Sequence, residues 1–179
     1  MLITAASVVN SAADSGQLVP MLEQAEELTR NRVPVTLADG GYHTAANLEA
    51  GNSRGQVLVM AERYQRKIKD PYFKDQFLYD AATDSYLCPQ GNSLHFRGLR
   101  MSQCPSSGRI RVYHALRKAC RSCLAFGKCT KDGQGRALWI GPSDMLLRKH
   151  RQGMRTKEAG SLYARRKEWT APLGLDRWS

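Results

Sequence analysis

The chain reads as an α/β protein in which a partial parallel sheet with flanking helices is interrupted by a small β-rich, cysteine-bearing insertion. Three observations predict this. Over the first sixty residues, apolar runs of strand character alternate with runs of helical period, the alternation that builds a sheet with parallel neighbours. From about residue 62 that alternation gives way to short aromatic strands, turn signals and cysteines. From residue 141 the helical period returns. The expected divisions are residues 1–61 for the partial core, 62–140 for the insertion and 141–179 for the C-terminal helical part of the core.

Leu2 to Val9 is apolar and rich in β-branched residues, so a strand is expected almost from the start. Asn10 to Gly16 is a polar turn, with Asp14 or Ser15 placed to cap the next helix. Leu18, Met21, Leu22, Ala25 and Leu28 recur at helical spacing, with Glu23, Glu26 and Glu27 on other faces. Val33 to Leu37 is the next strand, and Asp39 stands just past its end. Thr44 to Ala50 reads as a short helix, with His43 a surface residue, and Gln56 to Met60 as a further strand.

In the insertion, Pro71 bars a helix. Phe77-x-Tyr79 and Tyr86-x-Cys88 flank the turn-rich segment 80–84 and predict a hairpin. Leu94, Phe96 and Leu99 form another strand, residues 104–109 a loop, and Ala137 to Ile140 a last short strand. Pro142-Ser143 opens a helix that runs to about residue 151. Thr156 caps another, with Ala159, Leu162, Tyr163 and Trp169 on one side and Arg165, Arg166 and Lys167 on the outer face, until Pro172 and Gly174 stop it.

At 179 residues, 42% hydrophobic and 24% charged, the composition is that of a soluble globular protein of one domain, or of one domain with an insertion. No apolar run reaches the roughly 18 residues of a membrane span, and Met1 to Ala6 lacks the features of a signal peptide, so a cytoplasmic location is expected. The net charge of +11 is unevenly placed: residues 1–90 hold 8 basic and 11 acidic side chains, residues 91–179 hold 19 and 5. An acidic half joined to a strongly basic half points to a polyanion such as nucleic acid; the plainer reading is a solvated basic surface.

Cys88, Cys104, Cys120, Cys123 and Cys129 are the five cysteines. Without a secretory signal, metal ligands fit them better than a disulfide framework. Cys120-x-x-Cys123 places two thiolates toward one ion, and Cys129 follows. Cys88, in the tight turn Cys88-Pro89-Gln90-Gly91, would complete a tetrahedral Zn²⁺ site, with Cys104 as the rival for the fourth position. Closed sites of this kind are structural, and Arg117, Lys118, Arg121 and Lys128 would offset its charge. The plain alternative is buried thiols without a metal.

Asp39 has the address at which open α/β sheets present functional groups, beyond the carboxyl end of a strand. It could supply one carboxylate to a two-metal phosphoryl-transfer centre, which needs several. Equally, it could be a turn acid capping the helix after Gly41.

Several stretches together resemble bacterial insertion-sequence transposases of the DDE type. The segment 12–22 (Ala12-Ala13-Asp14 to Met21-Leu22) is similar to the one before the family's second acid. Ala38-Asp39-Gly40-Gly41-Tyr42 is similar to the block holding that acid. Tyr86-x-Cys88-Pro89-Gln90-Gly91, Cys120-x-x-Cys123 and Cys129-Thr130 resemble the cysteine-bearing insertion of one subgroup. Leu162 to Lys167 resembles the helix that carries the final Glu. The resemblance implies an RNase H-like core that cuts and joins DNA ends with Mg²⁺ or Mn²⁺, with Asp39 as a metal-binding catalytic acid. It also implies DNA as partner, contacted through Arg117, Lys118, Arg121, Arg165, Arg166 and Lys167, with a second copy or a full-length transposase as further partners and no membrane. Two departures stand out. The family's first Asp would precede the Leu2-Ile3-Thr4 strand, and Ala171 holds the place of its Glu, so truncation at both ends and an incomplete catalytic centre are expected.

Glu168-Trp169-Thr170 must be encoded GA(A/G)-TGG-ACN. Read from the last base of the Glu codon, this spells Met or Val and then Asp. A frameshift near residue 168 is therefore expected to have produced the closing residues. Translating the gene onward in that frame should yield an acid followed by Arg-Pro-Phe-Gly; an unrelated sequence there would refute it.

Overall fold

The structure is a computed structural model that describes residues 6, 10, 14–61, 69–102 and 108–166. The expected first strand, Cys104, Lys167, Trp169, Ala171 and the Pro172–Gly174 stop lie outside the described residues. The described chain mixes helices and strands, consistent with the α/β class, and divides into two compact units. One holds residues up to 63 and from 145 onward; the other holds 64–144.

In the first unit, helix α1 (Leu18–Thr29) buries Leu18 and Leu22. Strands β1 (Val35–Ala38) and β2 (Val57–Met60) pair in parallel, Leu37 opposite Val59, as the alternation predicts. Parallel neighbours need a crossover, and α2 (Ala45–Ser53) lies within it. Thr44 caps α2 by accepting a hydrogen bond from the Asn47 amide at 3.2 Å. Leu18, Leu22, Ala38, Leu48, Leu58 and Met60 form one core, with Leu146 and Leu147 packed against it. Those two leucines come from α4 (Asp144–Gly153), which is followed by α5 (Lys157–Ala164), capped by Thr156.

Glu26 does not lie on a solvated face. Its carboxylate accepts from the Val33 amide, from Gln56 Nε2 and from Arg54, at 3.1, 2.8 and 2.5 Å. Gln56 is buried and also donates to the Val33 carbonyl. One acid thus fastens α1 to the entrances of both strands. Asp14 makes no side-chain cap; its carboxylate is engaged elsewhere, as the next subsection describes.

The second unit is a five-stranded antiparallel meander in the order β3 (Leu78–Asp80), β4 (Ser85–Leu87), β5 (Ser93–Met101), β6 (Arg109–Ala115) and β7 (Ala137–Ile140). The hairpin β3–β4 forms where the aromatic alternation places it. Strand β6 was not among the expected elements. It pairs with both β5 and β7, and its Val112, Tyr113 and Ala115 are buried. A bulge between Phe96 and Gly98 shifts the β5–β6 register, and Gly98 takes φ 143°, which favours glycine. Phe77, Tyr86, Leu94, Tyr113, Ala115, Cys120 and Leu138 make the core of this unit. Between β6 and β7, residues 116–136 contain only the five-residue helix α3 (Arg117–Arg121) and the isolated bridge Phe126–Thr130.

Helix α2 crosses β2 at Gly51, where a Cβ would stand 2.7 Å from Leu58 Cδ1 and Cγ. Alanine would gain about 1 kcal/mol in helix propensity, but overpacking costs roughly 1–3 kcal/mol. Gly51→Ala should therefore lower stability by up to about 2 kcal/mol, read as a fall in the urea midpoint at unchanged slope.

Candidate functional site

Asp39 stands one residue beyond β1 and is exposed. Its Oδ1 accepts the Gly41 amide at 2.7 Å and caps the 3-10 turn Gly40–Tyr42. The turn-acid reading of Asp39 is thus realised locally. Tyr42, two residues after Gly40, donates its hydroxyl to Asp14 Oδ2 at 2.9 Å. Partial burial, the hydrogen bond to Asp14 and the charges of Asp14 and Asp39 push the Tyr42 phenol up to about 12. Two carboxylates therefore flank one phenol, and Asp14 serves as its acceptor rather than as a helix cap.

Asn47 and two histidines hold this turn in place, and none was a candidate in the sequence. Asn47 is buried and donates from its side chain to the carbonyls of Ser15 and Tyr42, both at 2.8 Å. That joins the segment before α1 to the segment after β1. His43, read as a surface residue, is instead partly buried, with Nε2 3.0 Å from His150 Nδ1. His150 Nε2 lies 3.0 Å from the Leu58 carbonyl. A carbonyl only accepts, so in the neutral pair His150 carries its proton on Nε2 and His43 donates to its Nδ1. The signal for this pair is absent from local sequence, since the two rings are 107 positions apart.

The second unit brings Cys88, Cys120, Cys123 and Cys129 to the wall of one cavity of about 20 Å³. All four are free thiols. Cys88 follows β4 in a turn closed by Gly91, at φ 79°, and its sulfur accepts the Asn92 amide at 3.3 Å. Cys120 lies on the buried side of α3, and its sulfur accepts the Arg136 amide at 3.4 Å. Cys123 Sγ accepts the Ala125 amide, two residues on, at 3.4 Å. Burial pushes the Cys129 thiol up; Arg136 pulls it down and the other three cysteines push it further up. Among the described residues no group of three or more His, Cys, Asp or Glu side chains is arranged, as it stands, to hold a metal ion.

The basic candidates separate by what they touch. Arg117, Lys118 and Arg121 are exposed on α3, whose other side carries Cys120. Arg165 follows α5 as its exposed cap, and the guanidinium of Arg166 stacks over the Tyr163 ring at 5.3 Å. Arg111, by contrast, is committed: it reaches Asp84 at 2.5 Å and lies 4.5 Å over Phe96. Asp84 also accepts from Tyr113 and Tyr79, at 2.8 and 2.9 Å. Those hydrogen bonds, the Tyr113 one foremost, hold its carboxyl below the usual range. This network ties the β3–β4 turn to β6. Lys74 pairs with Asp144.

A family model for the transposase DDE domain matches residues 87–171. The match takes in the four clustered cysteines, α3 and residues 165–167, and leaves Asp39 outside. It supports a transposase-type assignment. No curated protein and no solved structure matches the chain.

The raised Tyr42 phenol has a pH consequence. The unfolded chain loses this proton near pH 10, the folded chain only near 12. Between those values the native state binds more protons, so stability falls as pH rises through the window. Tyr42→Phe should flatten that fall, leaving the shares of Tyr113, which burial also pushes up to about 12, and of Tyr79, which its hydrogen bond to Asp84 raises. Urea unfolding of both proteins across this range reads the difference.

Proposed function

We propose that this chain is a DDE-transposase segment that holds DNA through the basic surface of its second unit and does not by itself cut it. The match to the transposase DDE domain carries this reading, because it falls on the basic half of the sequence. The exposed cations of α3 offer phosphate contacts that fix position on a duplex without reading its sequence. Arg165, Arg166 and Lys167, which belong to the first unit, are read as separate phosphate contacts. A second copy of this chain or a full-length transposase would be the protein partner, with the cytoplasm as the setting. Among the described residues no helix is long and apolar enough to cross a membrane.

The RNase H-like reading gives Asp39 the role of a ligand for Mg²⁺ or Mn²⁺. Such an ion would activate an attacking oxygen or stabilise a leaving one. The residues around Asp39 fit that role poorly. Asp39 is engaged by the Gly41 amide, and Asp14, linked to it through Tyr42, is engaged by a phenol. One turn-capping carboxylate does not clamp a pair of divalent ions, and no step of strand cleavage is assigned to this chain alone. The cysteine-bearing unit is the part read as stabilised by Zn²⁺.

DNA binding should be salt-sensitive, and the slope of log K against log salt counts the phosphates neutralised. Replacing Arg117, Lys118 and Arg121 by alanine should reduce the slope by up to about 3, roughly 1 for each phosphate no longer neutralised, and weaken binding uniformly across sequences. An unchanged slope refutes the α3 surface. Strand cleavage with Mg²⁺ or Mn²⁺ that vanishes in Asp39→Ala would refute the non-cutting part.

A further inference from the structure

We propose that Cys88, Cys120, Cys123 and Cys129 are the four ligands of a structural Zn²⁺ ion that clamps residues 116–136 onto the sheet of the second unit. The assignment carries the zinc-stabilised part of the reading above further and does not depend on its DNA part. Three observations lead to it.

First, the four thiols reach the same cavity from three separate places: the turn after β4, the helix α3 with its exit, and the loop before β7. A volume of about 20 Å³ admits one water-sized sphere. That suits a single small ion. Four sulfurs around one small ion are the donor set of a closed, tetrahedral structural zinc site.

Second, the surroundings suit thiolates. Amides of Asn92, Arg136 and Ala125 already donate to three of the four sulfurs. Such outer-shell donors orient ligands and stabilise their charge. Arg136 lines the cavity as well, and its Nε–H is buried with no hydrogen-bond partner. Four thiolates around Zn²⁺ carry two net negative charges, and a half-buried guanidinium whose Nε–H has no partner is the complement.

Third, the segment needs a staple. Of residues 116–136 only Cys120, Ala125 and Gly135 are buried, and regular structure is confined to α3. So little core does not hold a loop of this length, and metal binding would supply folding free energy. The sulfurs line the cavity without standing at a common ligating point. Rotation about their χ1 bonds is the movement the proposal requires. As each S–Zn bond forms, the thiol proton leaves to solvent, so binding releases protons and weakens as pH falls.

The test uses the full chain, purified under reducing conditions, with zinc quantified per chain and Co²⁺ as a spectroscopic substitute. The expected result is one zinc per chain, together with thiolate-to-Co²⁺ charge transfer and the intense visible bands of tetrahedral Co²⁺. Loss of an outer-shell partner alone costs about 10–100-fold in affinity, so Cys88→Ser should weaken Co²⁺ by more than roughly 100-fold. Cys104→Ser should leave stoichiometry and spectrum unchanged. A wild-type chain with no metal and no Co²⁺–thiolate spectrum overturns the site, as do disulfide-paired cysteines. A spectrum lost in Cys104→Ser and kept in Cys88→Ser overturns the ligand set. Should Cys88→Ser not fold, the wild-type titration and Cys104→Ser still decide. A chain with the four-thiolate spectrum but no salt-sensitive DNA binding refutes the DNA reading and leaves the site standing; DNA binding without metal does the reverse.

Discussion

Arg136 is where the cysteine-bearing segment is fastened to its sheet. Its amide donates to Cys120 Sγ, and its guanidinium donates to the carbonyls of Cys129 and Tyr72 at 3.4 and 3.1 Å while lying 5.5 Å over the Phe77 ring. One residue, at the entrance to β7, touches the first cysteine of the Cys-x-x-Cys pair, the chain after it, the segment before β3 and the aromatic floor of the core. Gly135 makes this approach feasible. It holds φ 95°, and a Cβ there would stand 3.3 Å from Cys120 Sγ. Every cation exposed on α3 depends on this fastening, because α3 is anchored to the unit by Cys120.

That dependence gives the second unit a simple logic. Helix α3 has five residues, too short to be stable by propensity. Its buried side is a thiol and its outer side is three cations. Whatever fixes the thiol fixes the cations, so a metal-stabilised loop and a phosphate-binding surface would be two faces of one short helix. The other arginines of the sheet do different work. Arg111 is spent on Asp84, Tyr113 and Phe96, so its charge braces the β3–β4 turn. The count of 27 lysines and arginines therefore overstates how many cations are available to a polyanion.

Much of this arrangement was legible in the sequence, and the misses have physical causes. The parallel pair β1–β2, helices α1 and α2 and the β3–β4 hairpin follow from periodicity and turn chemistry, which are local. Strand β6 was passed over because Arg109, Arg111 and His114 give it a basic rather than an apolar character, although Arg109-Ile110-Arg111-Val112 does alternate. In the structure Arg111 lies over an aromatic ring, and the backbone of β6 pairs on both sides. Asp14 was read as a cap because an acid before a helix usually is one; its acceptor role depends on Tyr42, 28 positions away. His43 was misread for the same reason. The fourth cysteine of the cluster stayed open because Cys88 and Cys104 are both followed by proline. Only the fold carries the Cys88 turn to the cavity wall.

Asp39 shows why a motif and a site must be kept apart. The Ala38-Asp39-Gly40-Gly41-Tyr42 block places an acid at the end of a strand, and in the structure the acid stands there. The same block also explains the acid without catalysis. Its carboxylate satisfies the Gly41 amide, and a Cβ at Gly41 would approach Asp39 Oδ1 to 3.0 Å, so the glycine pair serves the turn as much as any ligand. A carboxylate that caps a turn is held in one orientation, which a metal centre would also require. A single preorganised carboxylate, however, supplies only a fraction of the charge that two divalent ions demand. The chemical weight of these residues therefore rests in the second unit, where four thiols and an arginine line one small cavity beneath a charged helix, rather than at the strand end that first draws the eye.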